Sequence, residues 1–72
     1  MYKVVIHDFA KQHYGKILED GEELEFLQDE IDSCLYSIFH PLDPTNITAS
    51  IFYQTRYLVL SDLYKKVSKE CE

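Results

Sequence analysis

The sequence has few of the residues on which common catalytic and cofactor-binding motifs depend. It contains two glycines, Gly15 and Gly21, two cysteines and no tryptophan. A glycine-rich phosphate loop is therefore excluded, because such loops need several glycines close together. Cys34 and Cys71 stand too far apart for a CxxC motif or a zinc-ligand spacing, and we expect both to be free thiols. Serine-nucleophile signatures are also absent.

Long hydrophobic runs are missing as well. No apolar segment approaches the roughly 20 residues that a transmembrane helix needs, and the N-terminal MYKVVIHDF lacks the organisation of a secretory signal. We therefore expect a cytoplasmic protein with no membrane segment. The chain of 72 residues predicts one domain, residues 1–72, with a single modest core.

Basic residues are absent from the middle of the chain. Residues 17–55 contain no lysine or arginine, yet they hold nine aspartates and glutamates in a protein of net charge −6. Direct nucleic-acid binding by this segment is not expected, since phosphate contacts depend on cationic side chains. A protein with a basic surface is the natural complement.

The N-terminal third predicts a strand followed by a helix. Residues 2–7 are rich in β-branched side chains and partly alternate, which favours a β-strand. Asp8 is a suitable N-cap for a following helix, which Gly15 weakens and the Asp20-Gly21 turn ends.

Residues 22–39 give the clearest signal, that of an amphipathic helix. Its apolar positions share one face at about 100° per residue, and the helix must end before Pro41. The predicted core face consists of Leu24, Leu27, Ile31, Cys34, Leu35 and Ile38.

The last segment admits two interpretations. Asp43 as N-cap and Pro44 at the first helical position favour one long helix over residues 44–69. Alternating apolar residues also fit a strand over residues 49–60 followed by a short helix. The expected fold class is mostly α with a short N-terminal β-strand, a small α+β domain. The alternative is a two- or three-stranded antiparallel sheet packed on helices.

Acidic residues gather on one side of the 22–39 helix. Their steps of three or four residues place them together, with no lysine or arginine between them. Phe26 falls among the carboxylates, where an exposed aromatic ringed by charge would resemble an interface anchor. The predicted partner-binding residues are Glu22, Glu25, Phe26, Asp29, Asp32 and Tyr36.

This layout predicts a small acidic protein-binding module, an inhibitor or regulatory protein of the antitoxin, immunity or phage anti-host type. Its carboxylates would occupy lysine and arginine positions that otherwise hold phosphates, which is the behaviour of a DNA mimic. Acidic helix faces also serve solubility alone, so that interpretation stays open. An alternative is a homodimeric structural or regulatory subunit, which would bury Phe52, Tyr53, Tyr57, Leu60 and Tyr64.

Enzyme activity is not expected, because a solvated row of carboxylates offers no environment that separates their pKa values. No cofactor is expected either. A metal site would require the fold to bring distant residues together, since their spacing matches no ligand pattern. The residues considered for it are His7, Asp8, His13 and His40.

Overall fold

The computed structural model describes residues 2–70, which form three α-helices. They are α1 (Tyr2–Tyr14), α2 (Glu23–Phe39) and α3 (Ile47–Glu70). Residues 2–70 contain no β-strand. The predicted α+β class, with its N-terminal strand, is therefore wrong, as is the alternative sheet. The two predicted helices in the middle and at the end of the chain are confirmed.

The N-terminal segment is helical because its buried residues repeat at helical spacing. Ile6 and Ala10, one turn apart, are 2% and 0% exposed and lie in the core. A lone strand would leave its backbone groups without partners, whereas valine in a helix costs only a few tenths of a kcal/mol. Asp8 is not an N-cap, since it lies inside α1 and its carboxylate accepts a hydrogen bond from Gln12.

Gly15 ends α1 in the left-handed conformation, with φ of +62°. Its N–H donates to the carbonyl of Lys11 at 3.0 Å, which is the bond that closes a helix C-terminus of this kind. Residues 15–22, which we call the return segment, then lead the chain back beside α1 to the point where α2 begins. Leu18 of this segment is 5% exposed and packs on the core. This return segment sets the direction of α2.

Helices α1 and α2 run parallel. His7 contacts Glu23 and Tyr14 contacts Glu30, so both contacts join residues 16 positions apart. Equal separations at the two ends can arise only if the helices advance in the same direction. The return segment is needed because α2 starts beside the middle of α1.

Helix α3 runs antiparallel to the other two. At one end, the Tyr2 N–H donates to Glu70 Oε1 at 2.7 Å, so the start of α1 meets the end of α3. Further along, Arg56 of α3 reaches Glu30 of α2. A short connection, residues 40–46, joins α2 and α3 into a helical hairpin.

The first residue of α3 differs from the prediction by three positions. Asn46 caps the helix, because its Oδ1 accepts the N–H of Ala49 at 3.0 Å. Asp43 instead caps the preceding turn, where it accepts both the N–H and the hydroxyl of Thr45. These two bonds lower the pKa of Asp43 below its ordinary value.

All three helices and the return segment contribute to the core. Cys34 is buried there as a free thiol, and its burial raises the pKa of the thiol. The prediction for Cys71 lies outside the described residues. The buried apolar residues are Ile6, Ala10, Leu18, Phe26, Leu27, Ile31, Cys34, Leu60 and Val67.

Candidate protein-binding site

Three exposed carboxylates follow one side of α2. Glu25, Asp29 and Asp32, which we call the carboxylate row, step by four and three residues, so neighbours lie about 5–6 Å apart at Cβ. Within residues 2–70, none of the three forms an ion pair. Asp32 accepts a hydrogen bond from Gln28 at 2.9 Å, which is a neutral contact. The row therefore presents uncompensated negative charge to solvent.

The remaining carboxylates near the start of α2 have structural contacts. Glu22, one of the predicted site residues, is half-buried, and its carboxylate accepts the N–H of Glu19 at 2.7 Å. Glu23 is 1% exposed and accepts hydrogen bonds from His7 and from the Gly21 N–H. Burial raises the pKa of Glu23, but these hydrogen bonds, its own amide and nearby Lys3 outweigh it, so the pKa lies below its ordinary value.

Glu30 also points inward. Its Oε2 accepts hydrogen bonds from the Tyr14 hydroxyl and from Arg56 Nη2, each at 3.0 Å. The Arg56 guanidinium lies 5.8 Å from the centroid of the Phe9 ring, within the range of a cation–π interaction. Arg56 therefore connects α3 to both other helices, and Glu30 does not belong to the exposed acidic surface.

Replacing Arg56 with methionine should lower the free energy of unfolding by about 1–3 kcal/mol, because Glu30 loses a charged hydrogen-bond donor in a partly buried position. Urea unfolding followed by circular dichroism measures this difference. Lys65→Met is the control, since Lys65 is exposed and a change there should stay within about 0.5 kcal/mol. Equal stability of the two variants would show that Arg56 does not join the helices.

Phe26 is not an exposed anchor, contrary to the prediction. It is 7% exposed, and its ring packs edge-on against Phe9 and Tyr14 with centroids 6.1 and 6.0 Å away. The reason is that α1 covers the side of α2 that carries Phe26, while α3 also packs along α2. Two neighbouring helices make the buried arc of α2 wider than its apolar sequence pattern.

Two aromatic residues continue the carboxylate row toward the end of α2. Tyr36 is 67% exposed, in agreement with its predicted place on this surface, and Phe39 is 71% exposed. The ring of Tyr36 stacks near His40 at 4.7 Å. Sequence reasoning missed Phe39, although its position seven residues after Asp32 placed it on the same side of the helix.

A cavity of about 460 Å³ lies at the closed end of the hairpin between α2 and α3. Its lining includes Tyr36, Pro41, Leu42, Pro44 and Tyr53. Leu42 is fully exposed, and polar residues such as Asp43 and Asn46 also line the cavity. Since Tyr36 lines this cavity and also adjoins the carboxylate row, the two features form one continuous surface.

The predicted dimer face of α3 is largely turned inward. Leu60 is buried, and Tyr57 and Tyr64 pack against the core; Tyr53 is half-buried and contacts the ring of Phe52 at 5.4 Å. The exposed apolar surface of this helix, which we call the outer face of α3, shares only Phe52 with the predicted set. It consists of Ile47, Ile51, Phe52, Leu58 and Val59, which are 54–71% exposed.

The outer face of α3 has a simple cause in the sequence. Apolar residues occur on every side of this helix, so packing against α1 and α2 covers only some of them. Despite this composition, no helix within residues 2–70 is both long and apolar enough to cross a membrane.

The described surface thus combines an acidic row, an aromatic cavity rim and an apolar helix face in one small fold. These features are properties of this chain's own structure, and no related protein is needed to identify them. No protein-family model matches the sequence, and no curated protein or solved structure shows significant similarity to it.

Proposed function

We propose that this chain is a small protein-binding module, an inhibitor or regulator, whose carboxylate row contacts a basic surface on a target protein. The observation that carries the proposal is the division among the carboxylates of α2. Glu23 and Glu30 have internal partners, whereas Glu25, Asp29 and Asp32 share one exposed side with no cation beside them in residues 2–70. Repulsion within the row is relieved when a cationic partner binds.

The aromatic end of the same surface supports this proposal. Exposed aromatic residues are enriched at the centres of protein interfaces, where they fill pockets or form them. Tyr36 and Phe39 replace Phe26 as the anchor, and the hairpin cavity beside Tyr36 has room for a side chain of the partner. The surface then has an acidic half that steers the approach and an aromatic half that is desolvated in the complex.

The target class that best fits the carboxylate row is a protein whose own site binds nucleic acid. Lysine and arginine residues that hold successive phosphates form a row of positive charge. Carboxylates about 5–6 Å apart along a helix could occupy the same positions. In this mechanism the module competes with nucleic acid for the target, in the role of an antitoxin, an immunity protein or a phage anti-host protein.

Binding through the carboxylate row should depend strongly on salt. With the chain immobilised, a target captured at low ionic strength should dissociate at least about tenfold more readily near 0.5 M salt, where the Debye length falls to a few ångströms. The dissociation constant at two salt concentrations is the measurement. A target that binds equally well at both would contradict an electrostatic interface.

A second candidate function, homodimerisation, is favoured by the outer face of α3. From residue 47 to residue 61 the one charged residue is Arg56, which contacts Glu30 instead of facing outward. Two copies that each carry a net charge of −6 repel one another. The carboxylate beside this face, Asp62, is paired with Lys66 at 2.8 Å, so two copies can meet here without opposing unpaired carboxylates. The proposed contact keeps Phe52 from the predicted set and replaces its other members, which face inward or are half-buried.

Leu58→Asp should convert such a dimer to a monomer, because it places an unpaired charge within the outer face of α3. Leu58 is 67% exposed, so the fold should persist. Val4→Asp is the matched control, since Val4 is 69% exposed on α1. Sedimentation at micromolar concentration measures the mass of each variant. A wild-type mass equal to one chain would contradict the dimer.

A further inference from the structure

His7 lies beside two acidic residues that are distant from it in sequence. The residues first considered for a metal site do not converge: His13 stacks on Phe9 and His40 on Tyr36. The fold instead brings His7 together with Asp20 and Glu23. One ligand atom from each of these three residues lies within 4.8 Å of the other two.

The distance between two of these atoms matches a shared metal ion. His7 Nε2 and Glu23 Oε1 are 3.1 Å apart. In a tetrahedral zinc site each ligand atom is about 2.0–2.2 Å from the ion, so two ligand atoms lie roughly 3.3 Å from one another. Zinc could therefore replace the proton between these atoms with a movement of a few tenths of an ångström.

Glu23 is held in place as a ligand would need to be. The carboxylate is 1% exposed, and its Oε2 accepts the Gly21 N–H at 2.8 Å, which leaves Oε1 directed at His7. A hydrogen bond of this kind fixes the orientation of a coordinating carboxylate. The position of this carboxylate is thus set by the buried core and by the turn before α2.

Asp20 is the ligand whose side-chain orientation can change most easily. It is exposed, precedes Gly21 in a turn, and forms no side-chain hydrogen bond within residues 2–70. Its carboxylate can therefore rotate toward the other two atoms. A surface depression of about 360 Å³ lies beside His7, and of the three ligands only His7 lines it.

We propose that His7, Asp20 and Glu23 form a binding site for zinc or a similar divalent transition-metal ion. Two carboxylates and a neutral imidazole balance the charge of the ion, and nitrogen and oxygen ligands of this type suit zinc. The ligands come from α1, from the turn and from α2, so the ion joins the three segments. The bound ion holds the return segment against α1 and α2 and thereby stabilises the fold.

Calorimetric titration of the tag-free chain with zinc chloride tests the proposal. We expect one zinc ion per chain and a thermal midpoint that rises by about 10 °C or more once free zinc exceeds the dissociation constant a hundredfold. His7→Gln and Asp20→Asn should each weaken binding at least tenfold. Asp20→Asn is an exposed change, so circular dichroism should show an intact fold in that variant.

His40→Gln is the matched control and should bind zinc like the wild type, because His40 lies at the far end of α2. Cobalt provides an independent test through its absorption spectrum. A thiolate-to-cobalt charge-transfer band would assign the ion to cysteine and overturn the proposal. The absence of stoichiometric binding, or equal affinity in the wild type, His7→Gln and Asp20→Asn, would overturn it as well.

Discussion

Replacing Phe26 with alanine is expected to lower the free energy of unfolding by about 3–5 kcal/mol, the usual cost of removing a buried phenylalanine. The side chain is 7% exposed and packs against both Phe9 and Tyr14, so its removal leaves a cavity between α1 and α2. In a chain of 72 residues this is a large part of the total stability. Urea unfolding at neutral pH measures the change.

Phe39→Ala is the matched control, since it removes the same side chain from a position that is 71% exposed. Its free energy of unfolding should stay within about 0.5 kcal/mol of the wild type, whereas partner binding should weaken. If Phe26→Ala were as stable as Phe39→Ala, Phe26 would be an exposed residue and the packing of α1 on α2 would be wrong.

Helix α2 could be predicted well from sequence because its apolar residues repeat over 17 residues without interruption. Leu27, Ile31 and Cys34 are buried as that pattern predicts. Phe26 could not be placed in the same way. Its burial depends on α1 lying beside α2, and the sequence pattern of one helix does not show how many neighbours it has.

The N-terminal strand was a wrong prediction because local preference and tertiary packing disagree there. The β-branched residues of YKVVIH favour a strand locally, but Ile6 belongs to a helical repeat that continues through Ala10. Joining the two segments into one helix buries both residues. Val4 and Val5 remain exposed, which is a small cost beside the burial of the others.

The candidate site was predictable in three of its four charges and in Tyr36, whereas the predictions for Glu22 and Phe26 failed because both residues have internal contacts. Glu25, Asp29 and Asp32 are exposed because polar spacing alone places them opposite the core. The sequence did not indicate which apolar residues of α3 would be exposed. A helix with apolar residues on all sides gives no signal as to which side its neighbours will cover.

The double charge reversal Glu25→Lys with Asp29→Lys is expected to weaken target binding by on the order of 100-fold or more, because like charges then oppose each other across the interface. Both residues are exposed and lack ion-pair partners within residues 2–70, so the helical content should not fall. The dissociation constant for the captured target, measured at low salt, reports the change.

The most direct test of the carboxylate row compares this variant with Glu19→Lys combined with Asp62→Lys. The control changes the net charge by the same amount, and both of its positions are exposed and lie outside α2. It breaks the exposed ion pair of Asp62 with Lys66, and a surface pair of this kind contributes little to stability. If the row is the binding surface, the control should bind the target nearly as well as the wild type while the reversal of Glu25 and Asp29 abolishes binding. Equal loss in the two variants would show that only total charge matters and would contradict the proposed site.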